Sequence, residues 1–280
     1  MIYQLRTDFN ISRLCRCLCV SRSGYYAWRT RKPSARAQRH YRLLKLINKS
    51  FQLSKQTYGY PRVHSDLKDW GQSVGRHQVA SIMREHGLVA KMKLKRSGRE
   101  RMRRFYNAEA DHIGCCPSPN EQGAIWVTDI TQINTNNKPF FLAAVMDKFS
   151  RRLVGVAMGL HSNSALVRRA LKNAIIQCPD TQVSLVHSDQ GVEYTSHAYR
   201  MLLKANRMER SISRKGNCYD NAHMESFFHS LKTEMIYFQN FISAKVGMNK
   251  VREYIEYYNN KRRHSSLGYL SPVQFEANLG

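Results

Sequence analysis

The spacing of apolar residues divides the chain into a helical first part and a strand-rich second part. Up to about residue 106, apolar positions recur every three or four residues, which is the pattern of short amphipathic helices. Beyond residue 123 they form continuous runs that are typical of buried strands. Between the two parts, residues 107–122 are polar and contain Gly and two Pro, so we predict a linker there.

The first part predicts two small helical units. Residues 1–35 contain a helix–turn–helix pattern between Asn10 and Trp28, although a plain helical hairpin with a basic surface fits this stretch equally well. Residues 36–106 predict three further helices followed by a basic arm, which is the arrangement of a helix–turn–helix-like DNA-binding domain. The three helices are predicted near residues 41–51, 61–70 and 76–86.

The second part predicts an α/β domain. Its elements are three strands, a helix, a strand, a helix, a short strand and a long helix, in the order of the ribonuclease H-like fold. That fold has a mixed five-stranded sheet with flanking helices. We place this core at residues 123–240 and a basic helical extension of it at residues 241–280.

Two local details of the second part can be predicted as well. Ser164 is expected to cap the helix that ends near Gln177. The long helix, beginning near Asp220, shows apolar residues at alternating spacings of four and three, which predicts a buried stripe. The residues of this stripe are Met224, Phe228, Leu231, Met235 and Phe238.

The charge of the chain indicates a polyanionic partner. The formal net charge is +25, far beyond what solubility requires, and nucleic acid is the usual physical reason. Residues 1–124 hold 25 Lys and Arg against 8 Asp and Glu, whereas residues 125–280 hold 20 against 12. We therefore expect the helical part to bind DNA.

The sequence also predicts a cytoplasmic protein. The longest apolar run, residues 140–146, is far shorter than the roughly 20 residues that a membrane-spanning helix needs. The N-terminus lacks the features of a signal peptide. The seven Cys are an odd number without zinc-site spacing, so we expect reduced thiols.

Three carboxylates of the second part are candidates for a metal site. Asp129 lies inside an apolar strand, where an unpaired carboxylate costs several kcal/mol, so we expect it to have a partner. Asp189 ends another strand, and Glu225 lies beside the apolar stripe of the long helix. Taken singly, Asp189 fits an ordinary loop residue and Glu225 a solvated helix residue. Together, they form a set of hard oxygen ligands that suits two Mg²⁺ ions and phosphodiester chemistry.

Four strings of residues closely resemble one protein family. The strings are WVTDITQI, HSDQGVEYTS, DNAHMESFFHSLKTE and YNNKRRHSSLGYLSPVQFE. They are similar to the long-reading-frame product of bacterial insertion-sequence transposases, members of the retroviral-integrase superfamily with an Asp-Asp-Glu triad. Carried over position by position, the resemblance assigns the triad to Asp129, Asp189 and Glu225. The last two are separated by 35 residues, the separation for which the family is known.

This resemblance implies a DNA transposase, a metal-dependent polynucleotidyl transferase. Such an enzyme nicks one transposon end, joins the freed 3′-hydroxyl near the other end and inserts the resulting circle into target DNA. The resemblance implies Mg²⁺ as cofactor, with Mn²⁺ as a substitute, and a homo-oligomer on DNA. In the family, the working enzyme is a frameshift fusion to an upstream helix–turn–helix and leucine-zipper module. This chain begins at Met1 without a heptad run, so we expect it to lack that module.

The candidate DNA contacts lie in three regions. Lys232, seven residues after Glu225, matches the family's basic residue on the same helix, which is thought to contact transposon-end DNA. The third helix of the DNA-binding domain offers groove contacts, while the basic arm and the C-terminal string offer phosphate contacts or a merely solvated surface. These further candidates are Arg76, His77, Gln78, Arg84, Lys91, Lys93, Lys95, Arg96, Lys261, Arg262 and Arg263.

One position departs from the family pattern, and other functions compete with the transposase. Glu193 stands where the family has Gln, and it either adds a carboxylate to the site or faces away.

A tyrosine recombinase would use the H-x-x-R element at residues 197–200 with His223 and Tyr237, but it leaves Asp129 unexplained. A non-catalytic DNA-binding regulator would need only the helical part. A ribonuclease H-type nuclease would need none of it.

Overall fold

The structure is a computed structural model of the chain. The residues it describes are 1–91, 119, 121–179, 181–212 and 221–279. The predicted arm residues Lys93, Lys95 and Arg96 lie outside these ranges, as does most of the predicted linker. Among the described helices, none is both long and apolar enough to cross a membrane.

The first part of the chain is helical, as predicted, over its described residues 1–91. The fourth helix begins at Ala35, earlier than predicted, because the side chain of Ser34 accepts a hydrogen bond from the backbone N–H of Ala37 and caps it. The described helices of this part are α1 (Ile2–Leu5), α2 (Ile11–Cys17), α3 (Arg22–Thr30), α4 (Ala35–Leu53), α5 (Tyr60–Asp69) and α6 (Arg76–Glu85).

Helices α4, α5 and α6 enclose a hydrophobic core of their own. Ile47 from α4, Val63 and Leu67 from α5, and Val79 from α6 are each fully buried in it. Burial of this size stabilises a small domain by roughly 1.5–3 kcal/mol per side chain. These three helices therefore form a packed unit that gives α6 a fixed position.

The second part contains one mixed five-stranded sheet in the order β3-β2-β1-β4-β5. The first three strands are antiparallel neighbours, whereas β4 runs parallel to both β1 and β5. This topology confirms the predicted ribonuclease H-like fold. The strands are β1 (Ile125–Ile133), β2 (Phe140–Asp147), β3 (Leu153–Gly159), β4 (Leu185–Ser188) and β5 (Glu209–Ile212).

Helices cover both faces of this sheet. Apolar residues of α7 and α8 pack on one face around Trp126, and those of α9 and α10 pack on the other around Val127. Because alternate residues of β1 point to opposite faces, its continuous apolar run supplies both cores. The helices are α7 (Ser164–Gln177), α8 (His197–Ala205), α9 (Ala222–Glu234), α10 (Ala244–Asn260) and α11 (Pro272–Ala277).

Two predicted details of these helices were wrong. The cap of α7 is Asn163, whose side chain accepts from the N–H of Leu166, and Ser164 is already helical. The apolar stripe of α9 stops before Phe238, which is 45% exposed, because the helix ends at Glu234. Phe227, which the stripe omitted, is fully buried instead.

The C-terminal segment joins the helical unit to the sheet domain through two consecutive arginines. The guanidinium of Arg262 donates to Glu234 at the end of α9, with an Nη2–Oε1 distance of 2.6 Å. That of Arg263 donates to Asp66, at an Nε–Oδ1 distance of 2.5 Å, and to Asp69. The exposed fractions of Arg262 and Arg263 are 5% and 8%. The expectation that these arginines contact phosphates is therefore wrong for this structure, since their donors are held by carboxylates.

We predict that Glu234→Ala strongly destabilises the protein. The change leaves the Arg262 guanidinium buried without its carboxylate, which costs about 3–5 kcal/mol, measurable by urea unfolding. Arg262 and Arg62 lower the pKa of Glu234 although burial opposes them, so this stabilisation exists at neutral pH and is lost as the pH falls below the ordinary value of 4.5. The matched control is Glu253→Ala, which removes an exposed ion pair with Lys250 and should leave stability unchanged. Equal effects of the two changes would contradict the prediction.

Candidate active site

The three predicted carboxylates lie on elements that the fold brings together. Asp129 is in the middle of β1, Asp189 directly follows β4, and Glu225 is in the first turn of α9. Thr128 of β1 pairs with Ser188 of β4 in the parallel register, so the two aspartates are the next residues along neighbouring strands. The helix α9 packs against β1 and supplies the third carboxylate.

The pKa of Asp129 shows that the three carboxylates share one electrostatic environment. Burial is the largest cause of the rise of this pKa from an ordinary value of 3.8 to about 7, and the charges of Asp189 and Glu225 contribute to the same rise. The N–H of Ile130, which donates to Asp129 Oδ1 at 2.7 Å, and the charge of Lys232 oppose this rise. The hydrogen-bond partner that we expected for Asp129 is thus the backbone N–H of Ile130.

Asp129 and Asp189 line a cleft of about 280 Å³ beside the sheet. Glu193 lines it too, and its Oε1 accepts a hydrogen bond of 2.7 Å from the hydroxyl of Ser162. Of the two alternatives that the sequence left open, the structure favours the one in which Glu193 adds a carboxylate to the site. The remaining lining residues are Ile130, Gln132, Phe141, Ser162 and Tyr194.

The loop after β4 holds Asp189 and Glu193 around a glycine. The N–H of Gly191 donates to Asp189 Oδ1 at 3.0 Å. A Cβ atom on Gly191 would lie 2.9 Å from Asp189 Oδ1 and 2.9 Å from Glu193 Oε2. Since real Cβ atoms do not approach other atoms so closely, a side chain at position 191 would displace both carboxylates.

Two supporting residues were missed by the sequence reasoning. The side-chain amide of Asn221, just before α9, donates to the carbonyl of Thr128 at 3.4 Å. The buried hydroxyl of Tyr194 lies 3.4 Å from the hydroxyl of Thr128. Both therefore position the strand residue next to Asp129. Their signal was available, because each lies within one of the strings that resemble the transposase family.

Lys232 lies two turns after Glu225 on α9 and is half-buried. Burial lowers the pKa of Lys232, while the negative charge of the Asp129 carboxylate raises it. The predicted DNA-contacting lysine therefore interacts electrostatically with one of the three carboxylates, Asp129.

The other predicted DNA contacts that the structure describes in the helical part are exposed. In α6, Val79, Ile82 and Met83 face the core. His77 and Arg84 lie on the opposite face, seven residues apart, and both are exposed. Arg76, Gln78, Lys91 and, in the C-terminal segment, Lys261 are exposed too.

The residues of the recombinase alternative are not assembled in the cleft. Arg200 lines a different cavity, of about 300 Å³, together with Lys204 and Arg207. His223 contacts Arg151, and Tyr237 is exposed in the turn after α9. None of these residues is among those that line the cleft around Asp129. The arrangement therefore favours the carboxylate site.

We predict that Asp129→Asn stabilises the metal-free protein at neutral pH. Asp129 binds a proton more tightly in the folded state than in the unfolded state. Its ionisation therefore destabilises the folded state increasingly as the pH rises from about 4 to about 7. Removing the charge should add roughly 2 kcal/mol at pH 8, after a discount for partial exposure, and less at pH 5. Thermal unfolding in the presence of a chelator measures this. Asp8→Asn, at an exposed position in the N-terminal segment, is the control. A lower stability of Asp129→Asn than of the unmodified protein at pH 8 would show that the pKa of Asp129 is not raised in the folded state.

Comparison with protein families gives matches over both parts of the chain. Models of the integrase core domain match residues 119–218 and 225–278, and a model of an HTH-like domain matches residues 38–96. Among solved structures, the chain is similar to a simian T-cell lymphotropic virus intasome in complex with PP2A regulatory subunit B56 gamma. The TM-score is 0.51 with 14% identity, and the alignment covers 82% of this chain and 73% of that chain. At this identity, the likeness shows the fold alone.

Relatives in sequence are similar over nearly their whole length. The transposase InsF for insertion sequence IS3A of Escherichia coli (strain K12) is 36% identical, over 97% of this chain and 95% of that protein. The uncharacterized 31 kDa protein of insertion element IS600 from Shigella sonnei is 34% identical, over 94% and 97%. The chain belongs to the insertion-sequence transposases, the family of DNA-binding polynucleotidyl transferases that includes InsF and combines an HTH-like domain with an integrase core.

Proposed function

We propose that this transposase cleaves and joins DNA strands at the cleft lined by Asp129 and Asp189, with Glu225 of α9 as the third carboxylate of the site. The observation that carries the proposal is geometric: Asp129 and Asp189 line one cleft, and α9, the helix of Glu225, packs against β1. Three carboxylates this close repel one another unless cations neutralise them. Functional sites are where such unfavourable arrangements are retained.

The donor set fits a hard divalent cation. Asp129, Asp189 and Glu225 offer only carboxylate oxygens, which Mg²⁺ prefers, and we infer two Mg²⁺ ions per site with Mn²⁺ as a substitute. When bound, such ions activate the attacking oxygen and stabilise charge on the transferred phosphoryl group. The residues that would hold them are already oriented, since Ile130 and Gly191 donate backbone N–H groups to the two aspartates.

Each part of the chain has its own role in this proposal. The HTH-like unit at residues 36–106 binds transposon-end DNA through the exposed face of α6 and the basic arm. Lys232, beside the cleft, contacts the strand that reacts. The core at residues 123–240, with its extension at 241–280, performs the chemistry. We also propose that the protein works as a homo-oligomer on DNA in the cytoplasm, with the upstream-frame module as its fusion partner.

The test is strand cleavage and joining on labelled DNA that carries the element's own terminal repeats. The chain is assayed alone and fused to its upstream frame, with Mg²⁺, with Mn²⁺ and with chelator. Asp129→Asn, Asp189→Asn and Glu225→Gln should each lower joining by roughly 10³-fold or more, because each removes a ligand needed in the transition state. Glu256→Gln, at an exposed position on α10, is the control and should be as active as the unmodified protein.

Three results would contradict this proposal. Joining that survives the chelator would exclude a metal-dependent reaction. A covalent protein–DNA adduct that disappears in Tyr237→Phe would indicate a tyrosine recombinase. Specific binding of the ends without joining, in both forms of the chain and with either metal, would indicate a regulator of transposition.

We further predict that Gly191→Ala lowers strand joining by roughly 10²-fold, the cost of displacing a catalytic group by about 1 Å. The backbone of Gly191 has an ordinary φ of −56°, so the fold should tolerate the methyl group while Asp189 and Glu193 move. Unfolding by urea should be nearly unchanged. Gly59→Ala is the control, since its added Cβ would find its nearest neighbour at 3.6 Å. Full activity in Gly191→Ala would show that the position of Asp189 is not critical.

A further inference from the structure

A second group of metal-ligating side chains lies in the HTH-like unit, outside the cleft. His40 is in the second turn of α4, Glu85 is the last residue of α6, and His86 follows as its C-terminal cap. One ligand atom from each of the three lies within 4.8 Å of the other two. This group was not predicted from the sequence, because 44 residues lie between the first ligand and the second and neither Cys nor a short His spacing is involved.

The geometry points to a zinc site, and we propose that His40, Glu85 and His86 bind one Zn²⁺ ion. His40 Nε2 lies 3.5 Å from His86 Nε2 and 3.7 Å from Glu85 Oε2. Tetrahedral zinc with bonds of about 2.0–2.1 Å holds its ligand atoms roughly 3.3 Å apart. Small side-chain movements therefore bring the three atoms into the zinc geometry. Two imidazoles and one carboxylate are an established donor set for zinc, with water in the fourth position.

The position at the end of α6 also favours a cation. The last carbonyl groups of a helix carry partial negative charge, which stabilises positive ions near its C-terminus. The neighbouring Arg39 directs its guanidinium elsewhere, since its Nη2 donates to the carbonyl of Ser73 at 2.7 Å. All three ligands are accessible to solvent, so the ion can enter without opening the core.

Such a site would fix the helix that carries the proposed groove contacts. The hydrophobic core already packs α4 against α6 through Leu43, Ile47, Val79 and Ile82, so the unit folds without the ion. The metal would join the second turn of α4 to the end of α6 and hold Arg84, which precedes the two ligands Glu85 and His86. The zinc site would affect DNA binding only through the position of α6, and it does not depend on the catalytic proposal.

The experiment uses the untagged full chain carrying Asp129→Asn and Glu225→Gln, so that the cleft does not compete for metal. Co²⁺ is titrated as a spectroscopic probe and then displaced by Zn²⁺. We expect one equivalent of Co²⁺ with the strong visible absorption of tetrahedral nitrogen and oxygen ligation, and a higher unfolding temperature with Zn²⁺. His40→Gln and His86→Gln should each weaken binding at least roughly tenfold.

The control is His77→Gln, which changes an exposed histidine of the same helix and should leave Co²⁺ binding unchanged. Circular dichroism checks that the helices persist in each variant. If a histidine variant loses structure, Glu85→Gln tests metal binding at an exposed ligand instead. The proposal is overturned if the parent protein binds no Co²⁺ in the tetrahedral form. It is equally overturned if binding is unaffected when these ligands are removed in folded protein.

Discussion

The buried ion pair between Arg262 and Glu234 holds together the elements on which the cleft depends. Glu234 ends α9, the helix that carries Glu225 and Lys232. Its carboxylate accepts from Arg262 of the C-terminal segment and from the hydroxyl of Tyr254 in α10, at 2.9 Å, and lies 3.7 Å from Nη1 of Arg62 in α5. Removing two charges from water costs several kcal/mol per ion, so the pair contributes little net stability compared with an apolar contact. The pair instead links four elements, since groups from the C-terminal segment, α10 and α5 all approach the one carboxylate at the end of α9.

Arg263 extends the same constraint to the HTH-like unit. Its backbone N–H donates to the hydroxyl of Tyr58 at 2.7 Å, and its guanidinium is held by Asp66 and Asp69 of α5. Consecutive arginines thus attach the C-terminal segment to the sheet domain on one side and to the helical unit on the other. Because charged hydrogen bonds are directional, this attachment sets the orientation of α6 relative to the cleft.

The sequence predicted those parts of the fold that depend on local pattern. The order of strands and helices in the second part was predicted, because apolar runs end where polar turn residues begin. Interactions between distant residues were not predicted. Arg263 and Asp66 are 197 residues apart, so a count of basic residues in the C-terminal string gave no indication that the arginine is neutralised. The triad was predicted from the family resemblance, whereas the orientation of Glu193 required the structure.

The charge of the whole chain and the charge of the cleft have opposite signs. The chain carries a net charge of +25, yet the cleft is lined by Asp129, Asp189 and Glu193, whose charges repel phosphate. Lys232 opposes that repulsion only in part, because it brings one positive charge against several carboxylates. On our proposal, DNA is held first by the basic surface of the helical unit and enters the cleft only when divalent cations neutralise the carboxylates. In this proposal, the attachment through Arg262 and Arg263 keeps the helical unit in a fixed position relative to the cleft. DNA bound by the helical unit therefore has its reacting strand positioned at the cleft.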